Sequence, residues 1–291
     1  MPFVFATFNT EWLFDDEDPL KRWGLRLPPG GINEKIERIA QAIIAMGPTP
    51  GRGPDIIALQ EVEGPVTLDP LLARLQALGS PLKHAYCSET LDPFTGQNVA
   101  VLSATPVSIR PVTRLDQTAV PYIDAREREM MGSLGKFLRV DIEVDDTVLT
   151  IFNCHLKSRR GGTEETRRLR DVQAKIMRDL SRPRVEQGSL RSPSFTLIAG
   201  DMNDEPRTRP IDIMAGKLDT SYNLISATAE LPIEEQYTYI YDGKKQQLDH
   251  ILLSKFTHDR MQSAGFTRVP ETTSDHDAIW CAMDLTLPPP A

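Results

Sequence analysis

Short apolar runs that end in polar residues punctuate the chain, and each reads as a buried strand carrying polar side chains at its carboxyl end. Phe3 to Phe8 runs into Asn9-Thr10-Glu11, and Asp55 to Gln60 ends at Glu61. Asn98 to Ser103 and the stretch 107–112 also read as strands. Lys136 to Val144 and Thr147 to Cys154 predict an antiparallel pair turning at Asp145-Asp146, with His155 at its end. Phe195 to Ala199 leads through Gly200 into Asp201-Met202-Asn203-Asp204, the glycine letting the backbone turn sharply. Tyr237 to Tyr241 and Leu248 to Leu253 predict two strands joined through Asp242-Gly243, the second holding Asp249. Ser274-Asp275-His276 precedes a last strand, Ala278 to Leu285.

Helical spacing takes over between these runs. Ile36, Ile39, Ala40, Ile43 and Ile44 predict a helix over Asn33 to Met46, with Asn33 as N-cap and Gly47 as stop. A second amphipathic helix covers 67–78, and a third covers 163–180 with the stripe Leu169, Val172, Ile176 and Leu180. Thr163 suits its N-cap, and Glu164 and Glu165 suit the positive end of its dipole. Residues 15–31, 48–54 and 116–135 read as loops. No internal repeat or composition break divides the chain. The expected architecture is α/β, a single domain over 1–287 with two mixed sheets and outer helices. The Pro-Pro-Pro-Ala end, 288–291, is expected to be a disordered tail.

Composition narrows the function classes. No window approaches the 18 apolar residues of a membrane span, and no basic start precedes an apolar run, so a cytoplasmic chain without a signal peptide is expected. Cys87, Cys154 and Cys281 show no metal-site spacing and read as buried thiols. The net charge of −8 argues against coating a duplex through bulk electrostatics, but leaves room for an enzyme that touches a few phosphates. No protein partner is evident, and a monomer is expected.

The strand-terminating residues are Asn9, Glu11, Glu61, His155, Asp201, Asn203, Asp249, Asp275 and His276. Mg²⁺ or Mn²⁺ takes oxygen ligands of this kind, one or two carboxylates together with water and substrate phosphate. Zinc fits less well, because carboxylates outnumber histidines and the cysteines stand elsewhere. Two histidines beside carboxylates supply a base and phosphate contacts, the parts needed for metal-assisted phosphoester hydrolysis.

The motifs Asn9-Thr-Glu11, Leu59-Gln-Glu61, Asn153-Cys-His155-Leu, Gly200-Asp-Met-Asn203, Leu248-Asp249-His and Ser274-Asp275-His276 resemble, in order, those of the endonuclease/exonuclease/phosphatase (DNase I-like) family, in a bacterial-type form. The resemblance runs from about residue 3 to 285. It implies a four-layer α/β sandwich with two central mixed sheets. It also implies Glu61 as main metal ligand, supported by Asn9, Glu11 and Asp275. His276 is implied as general base or as stabiliser of transition-state charge, with Asp249 orienting its ring. Asp201 is implied to position or deprotonate the attacking water, with Asn203 and His155 on phosphate oxygens. Where many relatives carry an arginine or tyrosine ahead of the His-Leu strand, this chain offers Lys136 and the arginines at 126 and 128. Lys157, Arg159, Arg160 and Arg167 add candidate phosphate contacts. The leading expectation is a nuclease, endo- or exo-acting, with nucleic acid as substrate. A phosphatase or phosphodiesterase for a small phosphorylated metabolite or lipid headgroup is the alternative, and a catalytically dead binding module belongs to a third class.

Overall fold

Eleven residues, Phe3–Leu13, form β1, whose side chains are buried over most of its length. The computed structural model describes residues 1–15, 30–90, 95–107, 119–144, 147–190, 194–216 and 222–286. Helix α1 (Gly31–Ile44), β2 (Ile56–Val62) and α2 (Pro65–Ala77) follow. Then come β3 (His84–Cys87), β4 (Asn98–Ser103), β5 (Ala119–Ile123), β6 (Glu129–Ser133), β7 (Lys136–Val144) and β8 (Thr147–His155). The second half holds α3 (Thr163–Leu190), β9 (Phe195–Asp201), α4 (Arg209–Ala215), β10 (Leu224–Ser226), β11 (Tyr239–Tyr241) and β12 (Lys244–Gln246). Strand β13 (Asp249–Ser254), α5 (Lys255–His258), β14 (Met261–Thr267) and β15 (Ala278–Met283) complete it.

Two sheets carry the molecule. One runs β14-β15-β1-β2-β4-β3 and the other β10-β13-β9-β8-β7. Both are mixed, because β1 pairs β2 and β8 pairs β9 in parallel while their other neighbours run antiparallel. Phe5, Ala58 and Val101 of the first sheet share one buried cluster with Val140, Ile151, Leu197 and Ile251 of the second. The opposite face of the first sheet packs on Ile39 and Ile43 of α1 and Leu68 and Leu71 of α2. The opposite face of the second packs on Ala174 and Met177 of α3 and Ile211 and Met214 of α4. The order is therefore helix, sheet, sheet, helix. Alternation along each strand feeds one residue to the central layer and the next to the helical layer, which is why the strands read as continuous apolar runs.

A buried polar bridge crosses the central layer. The Asn153 amide nitrogen donates to the Leu59 and Ala100 carbonyls, and its oxygen accepts from the Gln60 amide. Asn153 and Gln60 are both fully buried. This bridge ties β8 to β2 and β4 directly beneath the strand ends that carry Glu61 and His155.

Several sequence expectations are corrected. Helix α1 starts at Gly31, with Gly30 as its cap, so Asn33 lies inside the first turn. Helix α3 continues past 180 through Pro183, and its buried stripe is Arg170, Gln173, Ala174, Met177, Ser181 and Val185. The expected stripe at 169, 172, 176 and 180 is only partly buried. Within 116–135, the described part is a hairpin, β5 against β6. Its turn is held by Asp124, which accepts from the Arg126 and Arg128 backbone N–H groups and from the Arg128 guanidinium. Across Asp242-Gly243, β11 pairs with β12, while β13 joins β9 in the central sheet. A two-residue turn sets Tyr241 opposite Lys244, so the strand following the turn is β12 and not β13. Most of the 15–31 loop, the 108–112 part of the expected strand, the Asp145-Asp146 turn and the 288–291 tail lie outside the described residues.

Candidate active site

The strand ends converge because β1, β2, β8, β9 and β13 present their polar termini on one side of the two sheets. The backbone is bent to do it. Glu11, Trp12, Glu61 and Asn203 have φ of 48°, 56°, 60° and 52°, in the left-handed region where non-glycine residues carry a cost of order 1–3 kcal/mol each. Gly200 has φ 131°, and a Cβ there would lie 1.9 Å from the Cys154 carbonyl oxygen. Asp201 then closes a turn by accepting from the Asn203 N–H at 2.8 Å, and the Asn203 amide donates to the Leu156 carbonyl at 3.2 Å.

Asp201 is the centre of the arrangement. Its Oδ2 accepts from the Asn9 amide at 3.0 Å, and it lies 3.5 Å from His155 Nε2 and 4.0 Å from His276 Nε2. Burial raises its pKa to about 7, with the Asp249 charge adding to the rise and His276 opposing it. The His276 Nδ1 meets Asp249 Oδ2 at 2.7 Å, and the Ser274 hydroxyl accepts from the His276 N–H. Burial pushes this imidazole down, but Asp249, Asp201 and Asp275 outweigh it and hold the pKa well above the usual range. His155 behaves oppositely: burial, reinforced by Lys136 and His276, drives it well below. Two histidines in one site thus favour opposite protonation states.

Glu61 occupies the flank. Its carboxylate accepts from the Asn9 amide at 3.4 Å and the Trp12 N–H at 3.2 Å, and stands 3.8 Å from His155 Nε2. Among the described residues, two triplets bring ligating atoms within 4.8 Å of one another, Glu61–His155–Asp201 and Asp201–Asp249–His276. Glu11 and exposed Asp275 belong to neither triplet, and the Glu11 carboxyl is raised by burial and then by Asp275. The donors on that flank are carboxylate oxygens, which suits a hard divalent cation that retains water ligands.

The conserved-domain model described as Endonuclease/Exonuclease/phosphatase family matches residues 6–276. The chain belongs to that family. Among solved structures, this endonuclease/exonuclease/phosphatase chain is similar to truncated TDP2 from Caenorhabditis elegans, at 18% identity and a TM-score of 0.63 over 97% of this chain and 98% of that one. It is similar to the human Nocturnin catalytic domain with bound sulfate anion, at 20% identity and a TM-score of 0.59 over 98% and 94%. A family protein from Leptotrichia buccalis matches at 16% identity and a TM-score of 0.58 over 97% and 100%. These likenesses show the DNase I-like fold. Comparison with curated protein sequences yields no match.

The basic candidates of this family member separate in space. Lys136 lies opposite His155 in the β7–β8 register, donates to the Gln97 side chain at 2.7 Å, and its charge opposes the rise that burial imposes on the Glu61 carboxyl. Lys157 and Arg160 are exposed on the loop after β8. Arg159 instead donates to the Asn203 carbonyl and reaches Asp204 and Glu205, so it braces the Asp201–Asn203 turn. Arg167 pairs with Glu164 on the exposed side of α3 at 2.7 Å. Sequence reasoning passed over three residues. Arg170, with no exposed surface, joins Asp204 at 2.7 Å to the Lys157 and Thr163 carbonyls. Tyr239 packs on the His276 ring at 5.0 Å between centroids. Lys35, on the buried side of α1, reaches the Glu11 carbonyl. The first and last were hidden in helices whose apolar neighbours dominate the pattern. Tyr239 had a signal, an aromatic two residues from a hairpin turn.

Proposed function

We propose that the chain is a Mg²⁺- or Mn²⁺-dependent phosphodiester hydrolase, and specifically a nuclease. The observation that carries this reading is the pairing of Asp201, a buried carboxylate with a pKa raised to about 7, with His276, an imidazole fixed by Asp249 at 2.7 Å, 4.0 Å away. In-line hydrolysis needs a base for water on one side and positive charge for the developing phosphorane on the other. Asp201 accepts a proton near neutral pH and so suits the base. His276, held in its charged form, suits donation to a phosphate oxygen, and the Asp249 hydrogen bond aims its Nε2. His155 and Asn203 flank the same space and orient phosphate oxygens. A divalent ion held by Glu61, with Asn9, Glu11 and Asp275 beside it, supplies Lewis-acid stabilisation of phosphate charge when bound. The sulfate bound in Nocturnin, a protein of the same fold, supports a tetrahedral oxyanion as ligand.

A polymeric substrate is favoured by what surrounds the site. Tyr241, 65% exposed, lies nearly parallel to Tyr239 with ring centroids 6.4 Å apart on the ribbon beside His276, and Lys244 and Lys245 are exposed on the same ribbon. Together with Lys157 and Arg160 they offer aromatic faces and positive charge, the features that hold bases and backbone.

The test is hydrolysis of single- and double-stranded DNA, RNA, an abasic-site duplex and small phosphoesters with Mg²⁺, Mn²⁺ or EDTA. The expected result is polymer cleavage that EDTA and His276→Ala both abolish. Turnover of small esters alone would move the protein to the phosphatase alternative, and EDTA-resistant cleavage would overturn the metal dependence.

A further inference from the structure

Lys35 is an unusual feature of α1, because its helix otherwise turns isoleucines and alanine toward the first sheet. It is 5% exposed. Its ammonium donates to the Glu11 carbonyl and lies 3.8 Å from Glu11 Oε2. Glu11 has left-handed backbone geometry, its own N–H donates to Asn9 Oδ1 at 2.9 Å, and its carboxylate accepts from the Asp275 backbone. Lys35 also feels the charges of Asp275 and Glu61, and these with Glu11 are the carboxylates that draw on it. Three carboxylates meet on this flank. A divalent ion offsets two of their charges, and a buried ammonium offsets the third.

We propose that Lys35 is a positioning residue that acts as a resident cation on the Glu11–Asp275 side of the site, holding the strained Glu11 in place and limiting the cluster to one divalent ion beside Glu61. The proposal rests on the assignment of that flank to metal under the proposed function. A charge fixed to the chain at 3.8 Å from Glu11 competes with a second mobile cation for the same oxygen, and it costs no ion uptake. Loss of the ammonium leaves Glu11 and Asp275 as an unopposed pair of carboxylates, which attracts a second ion.

The experiment is Mn²⁺ binding to metal-free protein by calorimetry, with electron paramagnetic resonance to separate one-ion from coupled two-ion states. Wild type is expected to take up one ion per chain, Lys35→Arg one, Lys35→Met two, and Lys35→Met combined with Glu11→Gln one again. Wild type binding no Mn²⁺ would overturn the metal assignment itself. Wild type binding two, or folded Lys35→Met binding one with unchanged affinity, would overturn the role of Lys35 alone. Should Lys35→Met lose its circular dichroism spectrum, the wild-type count and Lys35→Gln decide in the same way.

Discussion

At the scale of single residues, the site is a set of conflicts that the surroundings hold in place. His276 and Asp249 are both buried, and each makes the other's burial tolerable through one hydrogen bond of 2.7 Å. Removing the ring therefore leaves an uncompensated carboxylate as well as a missing donor. His276→Ala is expected to lower kcat by about 10²–10⁴-fold with an intact fold, judged by kinetics and circular dichroism. Gly200 is a second such point: Gly200→Ala places a methyl group against the Cys154 carbonyl in a left-handed conformation. Its midpoint in urea should fall by the equivalent of more than about 1 kcal/mol. His250 offers a pH test. Burial lowers its pKa below 6.5 although its Nε2 meets the Asp204 carbonyl at 2.8 Å. Its contribution is thus complete above pH 6.5 and is lost as pH falls through 6.5 toward the folded-state value, at up to ~1.4 kcal/mol per pH unit. The stability difference between wild type and His250→Gln, measured in urea at about pH 7.5 and about pH 5.5, should shift toward the variant in acid. An equal difference at both would show that His250 titrates as it does in the unfolded chain.

At the scale of elements, what can be read from sequence divides by whether local pattern or long-range contact decides. The strand ends were legible because an apolar run followed by Asn, Asp, Glu or His is a local signal, and β1, β2, β8, β9, β13 and β15 appear where those runs stand. The stripe of α3 was not. Leu169, Val172, Ile176 and Leu180 form the more apolar face, yet the face that packs inward is rotated by one residue because Arg170 must reach Asp204. An arginine with four partners inside the fold outweighs a few methyl groups, and no pattern of apolar residues encodes that. The β11–β12 ribbon was half legible, its turn from Asp242-Gly243 but its partner only from register. Arg170→Leu tests the weight placed on this element. It strands the buried Asp204 carboxylate behind the Asp201–Asn203 turn, and a loss of about 3–5 kcal/mol in urea unfolding is expected. A loss under about 1 kcal/mol would mean that Arg159 alone holds Asp204.

At the scale of the whole molecule, the net charge of −8 and the proposed polymer substrate pull against each other. Salt screens charge beyond the Debye length, about 8 Å at physiological salt, so any attraction for a polyanion has to come from positive charge close to its path. The local candidates are few. Among the described residues, Lys157 and Arg160 on the β8–α3 loop and Lys244 and Lys245 on the ribbon are exposed cations, whereas Arg159 pairs with Asp204 and Glu205 and Arg167 with Glu164. If each of Lys157 and Arg160 meets one backbone phosphate, replacing both with Gln should reduce the slope of log K against log salt by about 1.4 on a single strand and about 1.8 on a duplex. Replacing Arg167 with Gln should leave the slope unchanged, because its partner is within its own helix. Binding of fluorescent oligonucleotides to the His276→Ala protein, between about 50 and about 200 mM salt, measures both slopes without turnover. A flat slope for the His276→Ala protein with Lys157 and Arg160 intact would mean that no polymer backbone is gripped, and the same site would then serve a small phosphoester.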